Sequence, residues 1–163
     1  MSKPRLVLIG NGMAGVRTVE ELLKIKQDHY DITIFGAEPH PNYNRILLSP
    51  VLAGEMTIQE IVLNELDWYR QKGIKLHTGK QVARIDRVNR KVIADDGTEE
   101  SYDRLLIATG SNPFILPIPG NDLPGVIGYR DIKDTDEMIA AARQHRHAVV
   151  IGGGLLGLEA ANG

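Results

Sequence analysis

Leu6-Val-Leu-Ile9-Gly10-Asn-Gly12-Met-Ala-Gly15 is the stretch that decides the fold. An apolar run over 6–9, closed by a glycine, reads as a strand buried on both faces of a parallel sheet. Residues 13–26 then place Val16, Val19, Leu22 and Leu23 at helical spacing, with charge on the other side. Asp31–Phe35 is a second strand. Together these make a β-α-β unit, whose crossover is expected to be right-handed. Inside the turn the three glycines have separate tasks. Gly10 permits the tight bend, Gly12 lets a diphosphate approach the backbone, and Gly15 lets the helix pack closely on the sheet. The free N–H groups and positive dipole end of the helix would meet the phosphates.

The pattern recurs. Residues 148–151 read as another apolar strand, running into Gly152-Gly-Gly154-Leu155-Leu156-Gly157. A fingerprint of this kind is normally followed, roughly 20 residues on, by an acid that accepts from ribose hydroxyls. Gly36 stands where that acid is most natural, 21 residues past Gly15, and Glu38 is the nearest carboxylate.

Between the two fingerprints the chain alternates. Residues 46–52 and 63–71 look wholly or partly helical, and Lys75–His77 is a short strand. Residues 81–86, 91–95 and 98–102 read as β-structure, with Asp96-Gly97 as a hairpin turn. Residues 104–108 form a further buried strand, and 134–144 a helix. The Pro- and Gly-rich stretch 112–128 reads as a linker. The expected class is α/β: a Rossmann-like fold with a parallel sheet and an inserted small antiparallel β-meander, then the start of a second Rossmann-like fold. The corresponding domains are 1–118, a linker and connecting helix over 119–145, and a truncated second domain from 146 to 163.

Composition narrows the function. The net charge of −2 gives no electrostatic basis for binding nucleic acid or an anionic membrane. Cysteine is absent, so these 163 residues hold no disulfide, no Cys-x-x-Cys redox pair and no thiolate-ligated cluster. The apolar run near the N-terminus is too short for a signal-peptide core, and no stretch approaches a membrane span. A cytoplasmic location is the resulting expectation. His145 and His147 lack a third metal ligand nearby, and Trp68-Tyr69 reads as a helix packed on the sheet. Ser, His and Asp occur without nucleophile-elbow spacing, so nothing supports a hydrolase.

Two fingerprints with Arg104-Leu-Leu-Ile-Ala-Thr109-Gly110 between them resemble the two-dinucleotide flavoproteins. Within that group, Tyr43-Asn-Arg45-Ile-Leu-Leu-Ser49 is similar to the loop of ferredoxin-reductase-like members and of the large subunit of NAD(P)H-dependent nitrite reductase. The former usually carry a lysine after the serine, where this chain has Pro50. Residues 1–54 and 102–163 resemble the nitrite reductase large-subunit family. That resemblance implies FAD bound here, NAD(P)H bound next, and an iron–sulfur cluster and sirohaem further along a longer protein. Gly10, Gly12, Met13, Ala14 and Gly15 would then face the FAD pyrophosphate, and Glu38 a ribose. Arg45 would offer a fork to phosphate or a charge near the flavin. Val82 would contact adenine through its backbone, and Thr109 and Gly110 would line the cofactor. Arg130 would reach the pyrophosphate or make a surface salt bridge. Gly152, Gly154, Leu155, Leu156 and Gly157 would serve NAD(P)H, with Glu159 near the nicotinamide.

The chemistry so implied belongs to the cofactors, so no side chain is assigned a catalytic role and no residue a metal. Nitrite and NAD(P)H would be the substrates, with a small subunit or a second copy as a possible partner. The alternatives are a rubredoxin or ferredoxin reductase, an NADH oxidase, or a non-catalytic dinucleotide-binding module. The second fold lacks the strand that selects NAD or NADP, so tight NAD(P)H binding by these residues alone is not expected, and FAD binding by them is expected to be weak.

Overall fold

The computed structural model describes residues 2–163. In chain order the elements are β1 (Arg5–Ile9), α1 (Met13–Ile25), β2 (Asp31–Phe35), β3 (Asn42–Tyr43), α2 (Leu48–Leu52), β4 (Val62–Asn64), α3 (Leu66–Gln71) and β5 (Lys75–His77). They continue as β6 (Val82–Asp86), β7 (Lys91–Ala94), β8 (Glu99–Ser101), β9 (Arg104–Ile107), α4 (Ile132–Gln144) and α5 (Leu155–Asn162). The chain divides into two compact units, Met1–Tyr43 with Val62–Gly110, and Asn44–Ile61 with Ser111–Gly163.

The first unit is built on a four-stranded sheet of order β5-β2-β1-β9, parallel at every pairing. Alternation along β1 fills both sides of it. Leu6 and Leu8 join Val19, Ile32, Ile34, Tyr69 and Ile74 on one face. Val7 and Ile9 join Phe35, Val92 and Ala94 on the other. The first face is covered by α1 and α3, and the second by the antiparallel meander β6-β7-β8. Leu8 has no exposed surface, so its truncation to Ala would cost about 2–5 kcal/mol. The parallel sheet and the inserted meander match the expected class. Tyr69 is buried with Trp68 packed beside it, as the sequence suggested.

Strand order locates the functional edge. The chain steps outward from β1 to β2 to β5, then returns to the opposite side of β1 as β9. The direction reverses between β1 and β9, and ligands of open α/β sheets bind outside the carboxyl ends of the strands at such a point.

The second unit carries α2, α4 and α5. Helix α4 starts at Ile132, two residues earlier than the sequence spacing indicates, because Asp131 and Asp134 form a reciprocal capping box. One expectation fails here. Residues 148–151 form no strand. A strand exists only where a neighbour shares its ladder of hydrogen bonds, and among the described residues none pairs with this segment. Val149 and Ile151 are 87% and 67% exposed. The second fingerprint is therefore represented by its glycine turn and by α5 alone. Among the described residues no helix is long and apolar enough to cross a membrane.

Candidate functional site

The carboxyl ends of β1, β2 and β9 converge on the first glycine turn. Gly10 donates its N–H to the Phe35 carbonyl (2.8 Å), and Ala108 donates to the Ile9 carbonyl (2.8 Å). Gly10 sits at φ +110, and a Cβ there would lie 2.1 Å from the Ala108 carbonyl oxygen and 3.1 Å from the Thr109 nitrogen. Gly15 is nearly as constrained, with a Cβ 2.9 Å from the Gly10 oxygen and 3.2 Å from the Ala108 Cβ. Both glycines are thus required by packing of backbone on backbone.

Gly12 is different. Its φ of −88 suits any residue, and nothing lies within 4 Å of an added Cβ. It is the N-cap of α1, yet no side chain caps the helix and no acid stands in its first turn. Helix-opening N–H groups without a side-chain partner, beside an open space, suit an anionic group such as a phosphate. Met13 and Ala14 follow directly. With Arg17, Glu20, Asn42 and Asn64 they line an open groove of about 630 Å³ along α1.

At the end of β2 the backbone is laced to its neighbours. Gly36 donates to the His77 carbonyl and accepts from the Lys80 N–H, while Glu38 accepts from the Gly79 N–H. An acid is impossible at Gly36 without rearrangement, since its Cβ would meet the Asn11 Cβ at 2.9 Å. The carboxylate stands two residues later, where Glu38 accepts from the Tyr43 hydroxyl at 2.6 Å. Val82 opens β6 opposite Ala94 and packs into the meander-side core. Thr109 and Gly110 follow β9 and are exposed, with Gly110 at φ +77. The first unit therefore gathers Gly10, Gly12, Gly15 and Thr109 at one sheet edge, with Glu38 along the same edge.

Sequence reasoning missed a polar chain beneath the turn. Asn11 accepts from the Tyr69 hydroxyl (2.8 Å), which itself accepts from the Asn42 N–H (3.3 Å). The Asn42 side-chain amide donates to Asn64 Oδ1 (2.8 Å), and the Asn64 amide donates to Glu20 (2.9 Å). Burial pushes the Tyr69 phenol above its ordinary value, so it stays protonated and able to donate. The only sequence signal was a polar residue inside the fingerprint itself.

The second unit repeats the turn. Gly152 has φ +133 and Gly154 caps α5 at φ −79, ψ 175, close to the −88 and 175 of Gly12. A Cβ on Gly157 would lie 2.0 Å from the Gly152 oxygen. Leu155 and Leu156 are exposed. Arg45 donates from Nη1 to the Arg130 carbonyl (3.1 Å), and the Arg130 N–H donates to Asp134 (2.7 Å). Glu159 accepts from the Ser49 hydroxyl at 2.8 Å, and Ser49 Oγ in turn accepts from the Tyr129 hydroxyl at 3.3 Å.

Residues 4–162, which hold both glycine turns and the helices that follow them, match the family described as pyridine nucleotide-disulphide oxidoreductase. The chain belongs to that family. A nitrite reductase (NAD(P)H) of Bacillus subtilis (strain 168) is 60% identical over 163 residues, covering 100% of this chain and 20% of that protein. An assimilatory nitrate reductase electron transfer subunit of the same organism is 55% identical, covering 100% and 21%. Among solved structures, NADH:rubredoxin oxidoreductase from Clostridium acetobutylicum matches with a TM-score of 0.86 at 28% identity, covering 98% of this chain and 41% of that one. The resemblance to the nitrite reductase large subunit read from the sequence is thus reproduced, and the chain spans about a fifth of the length of these curated relatives. Oxidoreductases of this family share the parallel-sheet fold found here.

Proposed function

We propose that these residues form the FAD-binding part of an NAD(P)H-dependent oxidoreductase that delivers electrons for reduction of nitrite to ammonia. The observation that carries the reading is the first turn: two glycines forced by packing flank one, Gly12, that faces open space at an uncapped helix start. In this reading the amides of residues 12–15 hold the pyrophosphate, Glu38 accepts from a ribose, the Val82 backbone meets the adenine, and Thr109 and Gly110 line the cofactor. Arg45 and Arg130 supply positive charge to it. Gly152, Gly154, Leu155, Leu156 and Gly157 would bind NAD(P)H, and Glu159 would stand near the nicotinamide. The domain division is the one given above, 1–118, 119–145 and 146–163.

Held by the residues named above, FAD would supply two-electron acceptance from the nicotinamide and release in one- or two-electron steps. The protein's part is to orient the cofactors and exclude water, so no acid–base residue is assigned. Since the chain has no cysteine, a thiolate-ligated cluster and the sirohaem of the nitrite-reducing centre would be held by other residues of a longer cytoplasmic protein, with or without a small subunit.

The test is anaerobic. NADH or NADPH added to the full-length protein should bleach the flavin absorbance, and nitrite should restore it with ammonia as product. Flavin that stays oxidised excludes the reading. A second reading, reductase of a ferredoxin or rubredoxin, is supported by the likeness to NADH:rubredoxin oxidoreductase. Reoxidation by such a carrier and not by nitrite would select it.

A further inference from the structure

We infer that the buried hydroxyl of Tyr69 is a positioning group for the phosphate-binding turn, acting through Asn11. The inference rests on the FAD reading above, and extends it to a residue 58 positions away in the chain.

Asn11 is the residue between Gly10 and Gly12. Its two side-chain polar atoms are both used, Oδ1 accepting from Tyr69 (2.8 Å) and Nδ2 donating to the His40 carbonyl (3.4 Å). Its Cβ lies against Gly36. The side chain thus tethers the turn on the side of Gly12, where the backbone has neither a Cβ nor a close neighbour to restrain it.

Tyr69 is fixed in turn. It is 1% exposed within the core of the sheet's helical face, and its oxygen receives the Asn42 N–H. Asn42 is 2% exposed and its Oδ1 has no partner. The direction of the amide chain explains that orphan. The Glu20 carboxylate can only accept, so Asn64 turns its amide to Glu20 and its oxygen to Asn42. Asn42 must then donate, and its own oxygen is left over. An apolar residue at 42 would avoid that cost but would lose the link to Asn64. Buried polar groups that keep one acceptor unpaired, in a chain ending on the one non-glycine residue between Gly10 and Gly12, are what a positioning network looks like.

Tyr69→Phe and Asn11→Ala, made in the full-length protein, test this. Tyr69→Phe should weaken FAD binding by about fivefold to tenfold, the effect expected of the hydrogen bond it shares with Asn11. Asn11→Ala, which also loses the bond to the His40 carbonyl, should weaken it by at least as much, and the double variant should be no weaker than the worse single. In flavin-free protein, Tyr69→Phe should also speed amide hydrogen exchange at residues 10–15 without raising exchange in the meander. Unchanged exchange at the turn, or additive effects of the two substitutions, overturns the inference. If the wild-type protein takes up no FAD, the functional reading falls instead, and the exchange measurement still decides whether Tyr69 holds the turn.

Discussion

A Cβ placed on Gly10 would sit 2.1 Å from the carbonyl oxygen of Ala108. The contact is between the ends of β1 and β9, the two strands at which the sheet order reverses. Both partners are backbone, so neither can rotate away. Gly10 also stands at φ +110, a conformation L side chains rarely adopt. Gly10→Ala is therefore expected to destabilise the fold by about 3 kcal/mol or more. A thermal unfolding midpoint equal to wild type would show that the turn is less tightly packed than described.

Gly12 gives the opposite pattern. No atom lies within 4 Å of an added Cβ and its φ is −88. Gly12→Val should cost stability only about 1 kcal/mol, the loss of a favourable N-cap residue without a clash, yet a side chain would project where a phosphate must approach the N–H groups. Loss of charge-assisted contacts of this kind is expected to lower FAD affinity about tenfold or more. Titration of the flavin-free full-length variant checks it. Equal affinity would place the phosphate elsewhere.

How much of this was legible in the sequence follows from the same residues. The β-α-β unit was readable because apolar runs and helical spacing report burial directly, and β2 and β5 fall on the expected residues. The carboxylate at Glu38 instead of position 36 was readable as a fact, but its cause was not: Gly36 is fixed by the Cβ of Asn11, a contact across 25 residues. Tyr69 was read correctly as a packing residue. Its hydroxyl's partner could not be read, since tertiary hydrogen bonds leave no periodic trace. Residues 148–151 misled for the reciprocal reason, because an apolar run states a preference for a ladder and says nothing of whether a partner strand is present.

Acid stability should depend on Asp103. Its carboxylate receives Nε and the backbone N–H of Arg5 on Oδ2 (3.1 and 2.7 Å) and Nη2 on Oδ1 (3.1 Å), joining the starts of β1 and β9. The Arg5 guanidinium and N–H hold this carboxyl down to about 2. A depressed acid stabilises the folded state above its unfolded-state value, near 4, and that contribution is lost as pH falls toward 2. The wild-type unfolding midpoint should thus fall more steeply than that of Asp103→Asn between about pH 4 and pH 2. Because the pair is exposed, the difference should shrink in 1 M salt. Parallel curves for the two proteins would mean that the pair adds no pH-dependent stability.

The second unit offers a local test in the start of α4. Asp131 Oδ1 accepts the Asp134 N–H at 2.9 Å, while Asp134 Oδ2 accepts the N–H groups of Asp131 and Arg130 at 3.3 and 2.7 Å. The turn they close buries Ile132 and Thr135, and Thr135 returns both its N–H and its hydroxyl to the Asp131 carbonyl. Two carboxylates sit close together here, and burial with the neighbouring Asp131 charge raises the Asp134 carboxyl. Asp131→Ala removes the cap and should cost about 1 kcal/mol. Asp131→Asn keeps the accepting oxygen and removes a like charge, so it should match or exceed wild-type stability. Hydrogen exchange at residues 132–135 separates the two, rising in the alanine variant alone. Equal exchange in both variants would show that the helix start is held by the burial of Ile132 and Thr135 and not by its cap.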